Sequence, residues 1–292
     1  MDRKEFLRRG LLGTAVFASA KGIANVTDNN IDELEKLDVV GYNHLPNEDD
    51  TIADNMVIHR ANSRGTANHG WLQANFSFSF ANYYNPDRMH FGVLRVLNDD
   101  IIAPGKGFRT HPHDNMEIIT IPLEGTLEHK DSMGNVSKIQ SGEIQVMSAG
   151  TGIRHSEFNA RNDQEVKSFQ IWLFPKYKSV KPRYDQLKLD VAKRKNRFQQ
   201  ILSPNPNDEG VWIHQDAWFH MADIDKGRDI KYKCKRKGNG MYAMVVYGEA
   251  NIQGQRLGQR DAIGIWNTDS IDVKSLQPNT TVLVMDVPMM MG

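Results

Sequence analysis

Cysteine is nearly missing from this chain: one residue, Cys234, among 292. A single thiol closes no intramolecular disulfide, and there is no cysteine cluster to hold zinc or an iron–sulfur centre. An excess of one charge is missing too, since Lys plus Arg and Asp plus Glu both number 36. That balance points to no nucleic acid and no acidic membrane as partner. The local basic stretch KYKCKRKG at 231–238 reads as a solvated strand edge and turn, with Cys234 inert on it. The alternation of strand and amphipathic helix that builds parallel sheets is also absent, which argues against a doubly wound nucleotide-binding fold. What is present is an apolar content of 39% and a charged content of 25%, the make-up of a soluble globular protein with a real core.

The amino-terminal residues stand apart. MDRKEFLRRG is basic, LLGTAVFASA carries no charge, and Ala18-Ser19-Ala20 has the small-x-small pattern of a signal-peptidase site. The apolar run is too short to span a bilayer as a mature helix, so no stable membrane insertion is expected. Residues 1–25 are read as an export signal and 26–55 as a polar spacer with one short helix near Asp32–Leu37. Arg3-Lys4-Glu5-Phe6-Leu7-Arg8 resembles a twin-arginine signal, with Lys4 in place of the second arginine. Its use implies delivery to a bacterial periplasm or cell envelope; an unused signal leaves the chain in the cytoplasm. An amphipathic amino-terminal helix is the competing reading.

From Met56 onward, short strands alternate with Gly, Pro, Asn and Asp turns. MVIHRA, FSFSF at 76–80, HFGVLRVLNDD, EIITIPLEG, EIQVMSAG and FQIWLFP all fit half-buried or buried strands. TLEHKDSMGNVSKI reads as strand, turn, strand. Pro122 inside a strand predicts an edge position or a bulge. Residues 175–200 are charged, contain two prolines and read as a connection. Strands then resume through VWIHQDAWFHMADI to TTVLVMDVP. The result is an all-β fold in two similar blocks, 56–185 and 186–292.

The chemistry concentrates in GFRTHPHDNMEI at 107–118 and GTGIRHSEFN at 150–159. Side chains two apart on a strand share a face, so His111 pairs with His113, and His155 with Glu157. If the two strands are neighbours, three imidazoles and one carboxylate converge. Without sulfur, that donor set suits Fe(II), Mn(II), Ni(II), Cu(II) or Zn(II). His214 and His220, the only histidines after residue 155, are expected to make ordinary hydrogen bonds. The same holds for His90 and His129, although both could line a barrel.

GFRTHPHDNMEIITIPLEGTLEHKDSMGN and SGEIQVMSAGTGIRHSEFN resemble the pirin family of the cupin superfamily, and in particular its quercetin 2,3-dioxygenase-like bacterial members. The resemblance runs from about Met56 to the carboxyl terminus, with Asp114-Asn115-Met116 departing from the family's commoner Arg-Gly-Phe. It implies a bicupin of two β-barrels. The amino-terminal barrel would bind metal through His111, His113, His155 and Glu157, with Fe(II) first among the candidate ions. The carboxy-terminal barrel would be metal-free. Glu117 falls on the ligand side by period-2 counting, but the family's carboxylate matches Glu157. Glu117 is therefore expected behind the ligands, orienting an imidazole, or in a nearby barrel contact.

The activity implied is dioxygenase opening of a flavonol heterocycle, with a small aromatic substrate and dioxygen as partners and Glu157 as general base. Phe108 and Met147 would touch the flat substrate. Two other accounts compete: a metal- or redox-responsive binding protein with a protein partner and no turnover, and a purely structural metal.

Overall fold

The structure, a computed structural model, describes residues 51–53 and 55–290. The expected export signal, nearly all of the spacer and the short helix near Asp32–Leu37 lie outside those residues. Among the described residues, regular structure is strand apart from two short 3-10 turns, Ala61–Ser63 and Val191–Arg194. None of their helices is long and apolar enough to cross a membrane.

The strands form four sheets, two in each half of the chain. The first half has a seven-stranded sheet ordered 183–188, 143–148, 117–124, 166–173, 94–102, 72–76 and 65–68. Facing it is a four-stranded sheet ordered 107–113, 153–159, 126–131 and 136–140. The second half repeats the layout with an eight-stranded and a four-stranded sheet. This is the two-barrel β architecture expected of a bicupin. Two strands, Thr51–Ala53 and Met56–His59, belong elsewhere than their position in the chain suggests. Met56–His59 pairs antiparallel with Ala262–Ile265 in the second half's large sheet.

The large sheets share one apolar core. Leu97, Ile119, Ile121, Val146 and Phe169 from the seven-stranded sheet meet Phe219, Tyr242, Met244, Leu283 and Met285 from the eight-stranded one. Full burial of each such side chain contributes roughly 1.5–3 kcal/mol, so the two halves are joined by core rather than by a polar contact. Inside the second barrel the lining is apolar: Ala222, Val245, Ile263, Ile271 and Val282 among others. The first barrel's interior instead buries polar side chains.

One local expectation is corrected, and for Pro122 the bulge is the alternative that holds. The FSFSF strand ends at Phe76, and its serines are buried rather than solvent-facing, at 1% and 3% exposure for Ser77 and Ser79. Ser79 Oγ donates to the Asn85 carbonyl and accepts from the Asn85 N–H, so a loop closes over what would have been an open face. Pro122 lies on a central strand rather than an edge, and the ladder shifts register beside it, between Lys167 and Ser168. A bulge thus accommodates the missing N–H. The basic stretch at 231–238 is a strand end and turn, as expected, with Lys231 and Lys233 exposed and Tyr232 buried. Burial pushes the Cys234 thiol up to about 11, with Asp286 adding to the effect, which leaves it protonated and unreactive.

Glu117 also departs from expectation. Asn115 has a left-handed φ of 45°, so a turn separates Glu117 from the His-x-His strand and the alternation restarts. Glu117 shares a face with Ile119 and Ile121, toward the common core, while Thr120 reaches the barrel interior. Its carboxylate accepts from Ser148 Oγ at 2.7 Å, and it touches no imidazole ring by hydrogen bond. Burial pushes it up to about 7, against the Ser148 and His214 hydrogen bonds and the Arg183 charge.

The unfolded carboxyl ionises near 4.5, whereas the folded one keeps its proton to about 7. Between those values the folded state binds more protons, so this residue lowers stability as pH rises and its cost levels off above 7. Glu117→Gln should therefore gain stability over wild type from pH 4.5 to 7, by up to roughly 3 kcal/mol. Denaturant midpoints across that range measure it, and a pH-independent difference would refute it.

Candidate metal centre

Backbone pairing builds the site. Gly107–His113 runs antiparallel to Ile153–Asn159, with His111 directly opposite His155 and His113 opposite Ile153. Directly opposed residues hold their side chains close on one face, and His113 joins them from two positions along. Pro112 is tolerated because its strand is the edge of the four-stranded sheet. The ring centroids of His111, His113 and His155 lie 4.5–4.8 Å apart. One ligand-capable atom from each lies within 4.8 Å of the others. His113 and His155 are 4% and 1% exposed, while His111 is half-buried and marks the mouth.

These residues fit a divalent metal. His111 Nδ1 lies 2.7 Å from the Arg109 carbonyl oxygen. A carbonyl only accepts, so that nitrogen carries the proton and Nε2 keeps its lone pair. His155 Nε2 is buried with no hydrogen-bond partner among the described residues. Such an atom costs roughly 1–3 kcal/mol unless something binds it. Burial, then the neighbouring His113, His111 and His129, holds His155 well below the usual imidazole range. It is therefore neutral, as a ligand must be.

Glu157 sits on the same strand beyond a bulge. His155 pairs with His111 but Glu157 pairs with Phe108, so one extra residue lies on the His-x-His strand between them. On its other side Glu157 opposes His129. His129, His155 and Glu157 form a second group, with ligand-capable atoms within 4.8 Å, that shares His155 with the first. Glu157 accepts from Thr120 Oγ1 at 3.1 Å and from Gln170 Nε2 at 2.7 Å. Burial pushes it up to about 7 against those two bonds.

The opposing wall is layered. Gln145, Thr120, Gln170 and Asn98 are register partners across four adjacent strands and form a polar row. The next row, Met147, Ile118 and Trp172, is largely apolar, and the Trp172 ring meets His113 edge-on at 4.9 Å.

The structure thus brings together His111, His113 and His155, and places Glu157 beside His155 in the second group. His129 was expected to be structural; it is fully buried within that second group. Its signal was present in LEHKD, where Leu127, His129 and Asp131 alternate with Glu128 and Lys130. Phe108 packs against Trp71 and His111 at the mouth, whereas Met147 is fully buried in the wall. Thr120, Gln170 and Trp172 carried no sequence signal, because only cross-strand register assigns them to this site. His90 bonds the Gly92 carbonyl, and His220 is within 3.3 Å of the Tyr232 hydroxyl, as ordinary hydrogen-bonding histidines do. His214 packs its ring against Trp212.

Comparison with known proteins identifies the family and the fold. Residues 57–173 match the Pirin family, and residues 200–287 match the quercetinase C-terminal cupin domain. The chain is 42% identical over 233 residues to the quercetin 2,3-dioxygenase of Escherichia coli K12, covering 80% of this chain and 99% of that protein. It is 39% identical to a putative quercetin 2,3-dioxygenase of Pseudomonas aeruginosa, covering 75% and 94%. The crystal structure of the bacterial pirin YhhW from Escherichia coli in complex with nickel(II) superposes with a TM-score of 0.75 at 40% identity, covering 80% and 99%.

His113→Ala should abolish stoichiometric divalent-metal binding while the apolar second barrel stays folded. Elemental analysis together with circular dichroism checks this, and one retained metal per chain would refute the role of His113.

Proposed function

Because the chain belongs to the pirin family, we propose that it is a metal-dependent dioxygenase opening the heterocycle of a flavonol such as quercetin. The supporting observation is the meeting of three imidazoles at the mouth of a polar barrel, with a buried His155 Nε2 that has no hydrogen-bond partner among the described residues. Chemical precedents are the relatives described as quercetin 2,3-dioxygenases and the nickel-bound bacterial pirin. The ligands in this proposal are His111, His113, His155 and Glu157. Fe(II) is the first candidate, with Mn(II), Ni(II), Cu(II) and Zn(II) as alternatives.

A bound divalent ion supplies Lewis acidity toward the flavonol 3-hydroxyl oxygen and orients the ring. The chain's own residues do the rest. Half-buried His111 and the Phe108–Trp71 pair flank the entrance, where a flat aromatic ring has apolar surface to stack on. Glu157 receives the 3-hydroxyl proton on a carboxylate oxygen. Thr120 and Gln170 hold that carboxylate against the polar row, so it is positioned before substrate arrives. The Trp172 edge against His113 and the buried Met147 and Ile118 behind it keep water from the inner side. Both atoms of dioxygen enter the opened product, and carbon monoxide leaves.

Anaerobic reconstitution with each metal, followed by quercetin and oxygen, tests the reading through oxygen uptake and carbon monoxide release measured together. At least one metal form should turn over. Glu157→Gln should lower kcat by roughly 10²- to 10⁴-fold. Absence of turnover by every metal form would reject the dioxygenase assignment and leave the metal site standing.

A further inference from the structure

We propose that Asp131 and His129 form a positioning relay that fixes the proton on His155 Nδ1 and thereby leaves its Nε2 lone pair facing the metal. The proposal rests on the ligand reading above and assigns a role to two residues outside that ligand set.

The relay starts in the DSMGN hairpin turn. Asp131 Oδ1 accepts from the backbone N–H of Met133 at 2.9 Å and of Asn135 at 3.1 Å. Its Oδ2 accepts from Asn135 Nδ2 at 2.8 Å and lies 3.2 Å from His129 Nε2. Three donors already address this carboxylate, which as an ion only accepts, so the nitrogen of His129 facing it bears the proton. A neutral imidazole then has a bare Nδ1. Two groups approach that atom, Gln145 Nε2 and His155 Nδ1, each at 3.5 Å, the long limit of a hydrogen bond. An amide nitrogen only donates, which agrees with an accepting Nδ1. His155 therefore carries its proton on Nδ1, and its bare nitrogen is Nε2, the buried atom without a hydrogen-bond partner. The Tyr184 ring lies 4.7 Å from His129 at 30° and holds the imidazole plane.

Register explains why this chain of contacts exists. His155 is directly opposite Asp131, and Glu157 directly opposite His129, across the strand pair 153–159 and 126–131. The hairpin that ends at Asn135 thus delivers its carboxylate to the level of the ligand histidine. Metal-bound histidines are commonly oriented by such partners, whose loss lowers metal affinity roughly 10- to 100-fold.

An isosteric variant provides a direct test. In Asp131→Asn the amide oxygen faces the two backbone donors and the NH₂ group faces His129. His129 must then accept at Nε2 and donate from Nδ1, which reverses His155. Ring ¹⁵N–¹H correlation spectra of the metal-free full chain should show His155 Nε2 bare in wild type and protonated in the variant. Nickel(II) affinity should fall roughly 10- to 100-fold. Should this substitution disturb the hairpin, His129→Phe and His129→Asn give a second comparison. Phenylalanine removes the acceptor and weakens binding, while the asparagine oxygen replaces Nδ1 and restores it. A protonated His155 Nε2 in wild type, or nickel affinity within twofold in both Asp131→Asn and His129→Phe, overturns the relay. So do two nickel ions per chain, which would mean that His129, His155 and Glu157 hold an ion themselves. A bare Nε2 in a wild-type protein that binds no nickel would instead reject the ligand reading and spare the relay.

Discussion

The register between Gly107–His113 and Ile153–Asn159 is the constraint on which the rest of the site depends. It places His111 opposite His155. Because side chains alternate with period two, a slip of one residue would turn every imidazole to the other face of the sheet. The bulge between His155 and Glu157 is part of the same arrangement. It separates the carboxylate from the mouth and lets it reach the polar row on the opposite wall.

The two barrels show what a buried polar site demands of its surroundings. In the second, apolar side chains fill the interior, and the buried Asp286 accepts from Tyr232, Asn239 and the Lys235 N–H. That barrel is a packed core. In the first, Thr120, Gln145, Gln170, His129 and Glu157 replace apolar filling, and most are tied to one another by hydrogen bonds. Interior polar groups are costly unless they are paired. The first half offsets that cost with a cross-strand network and with the apolar core it shares with the second half. The apolar barrel thus supports the polar one by packing against the back of its large sheet.

Much of this is legible in the sequence. The strands, the His-x-His and His-x-Glu pairs, and the turn at Met133-Gly134-Asn135 follow from local chemistry: alternation, glycine and proline. Local reading failed where the chain leaves a strand or where both faces are covered. Counting by twos put Glu117 with the ligands because the count ran across a turn that resets the alternation at Asn115. Ser77 and Ser79 looked solvent-facing, yet both are buried, and the loop that follows folds back to bond Ser79 through Asn85. His129 looked like an ordinary barrel residue because nothing within LEHKD tells which strand stands opposite it.

The amino-acid sequence by itself determined the residue types at the site, their same-face pairing and the all-β class, because those depend on neighbours one to four positions away. Tertiary structure alone decided which strands are adjacent, and therefore that His155 meets His111 on one side and Asp131 on the other. It also decided that Thr120, Gln170 and Trp172 belong to the site. The physical reason is that pairing register is set by burial of whole faces across distant segments, a sum over the core that no single stretch contains.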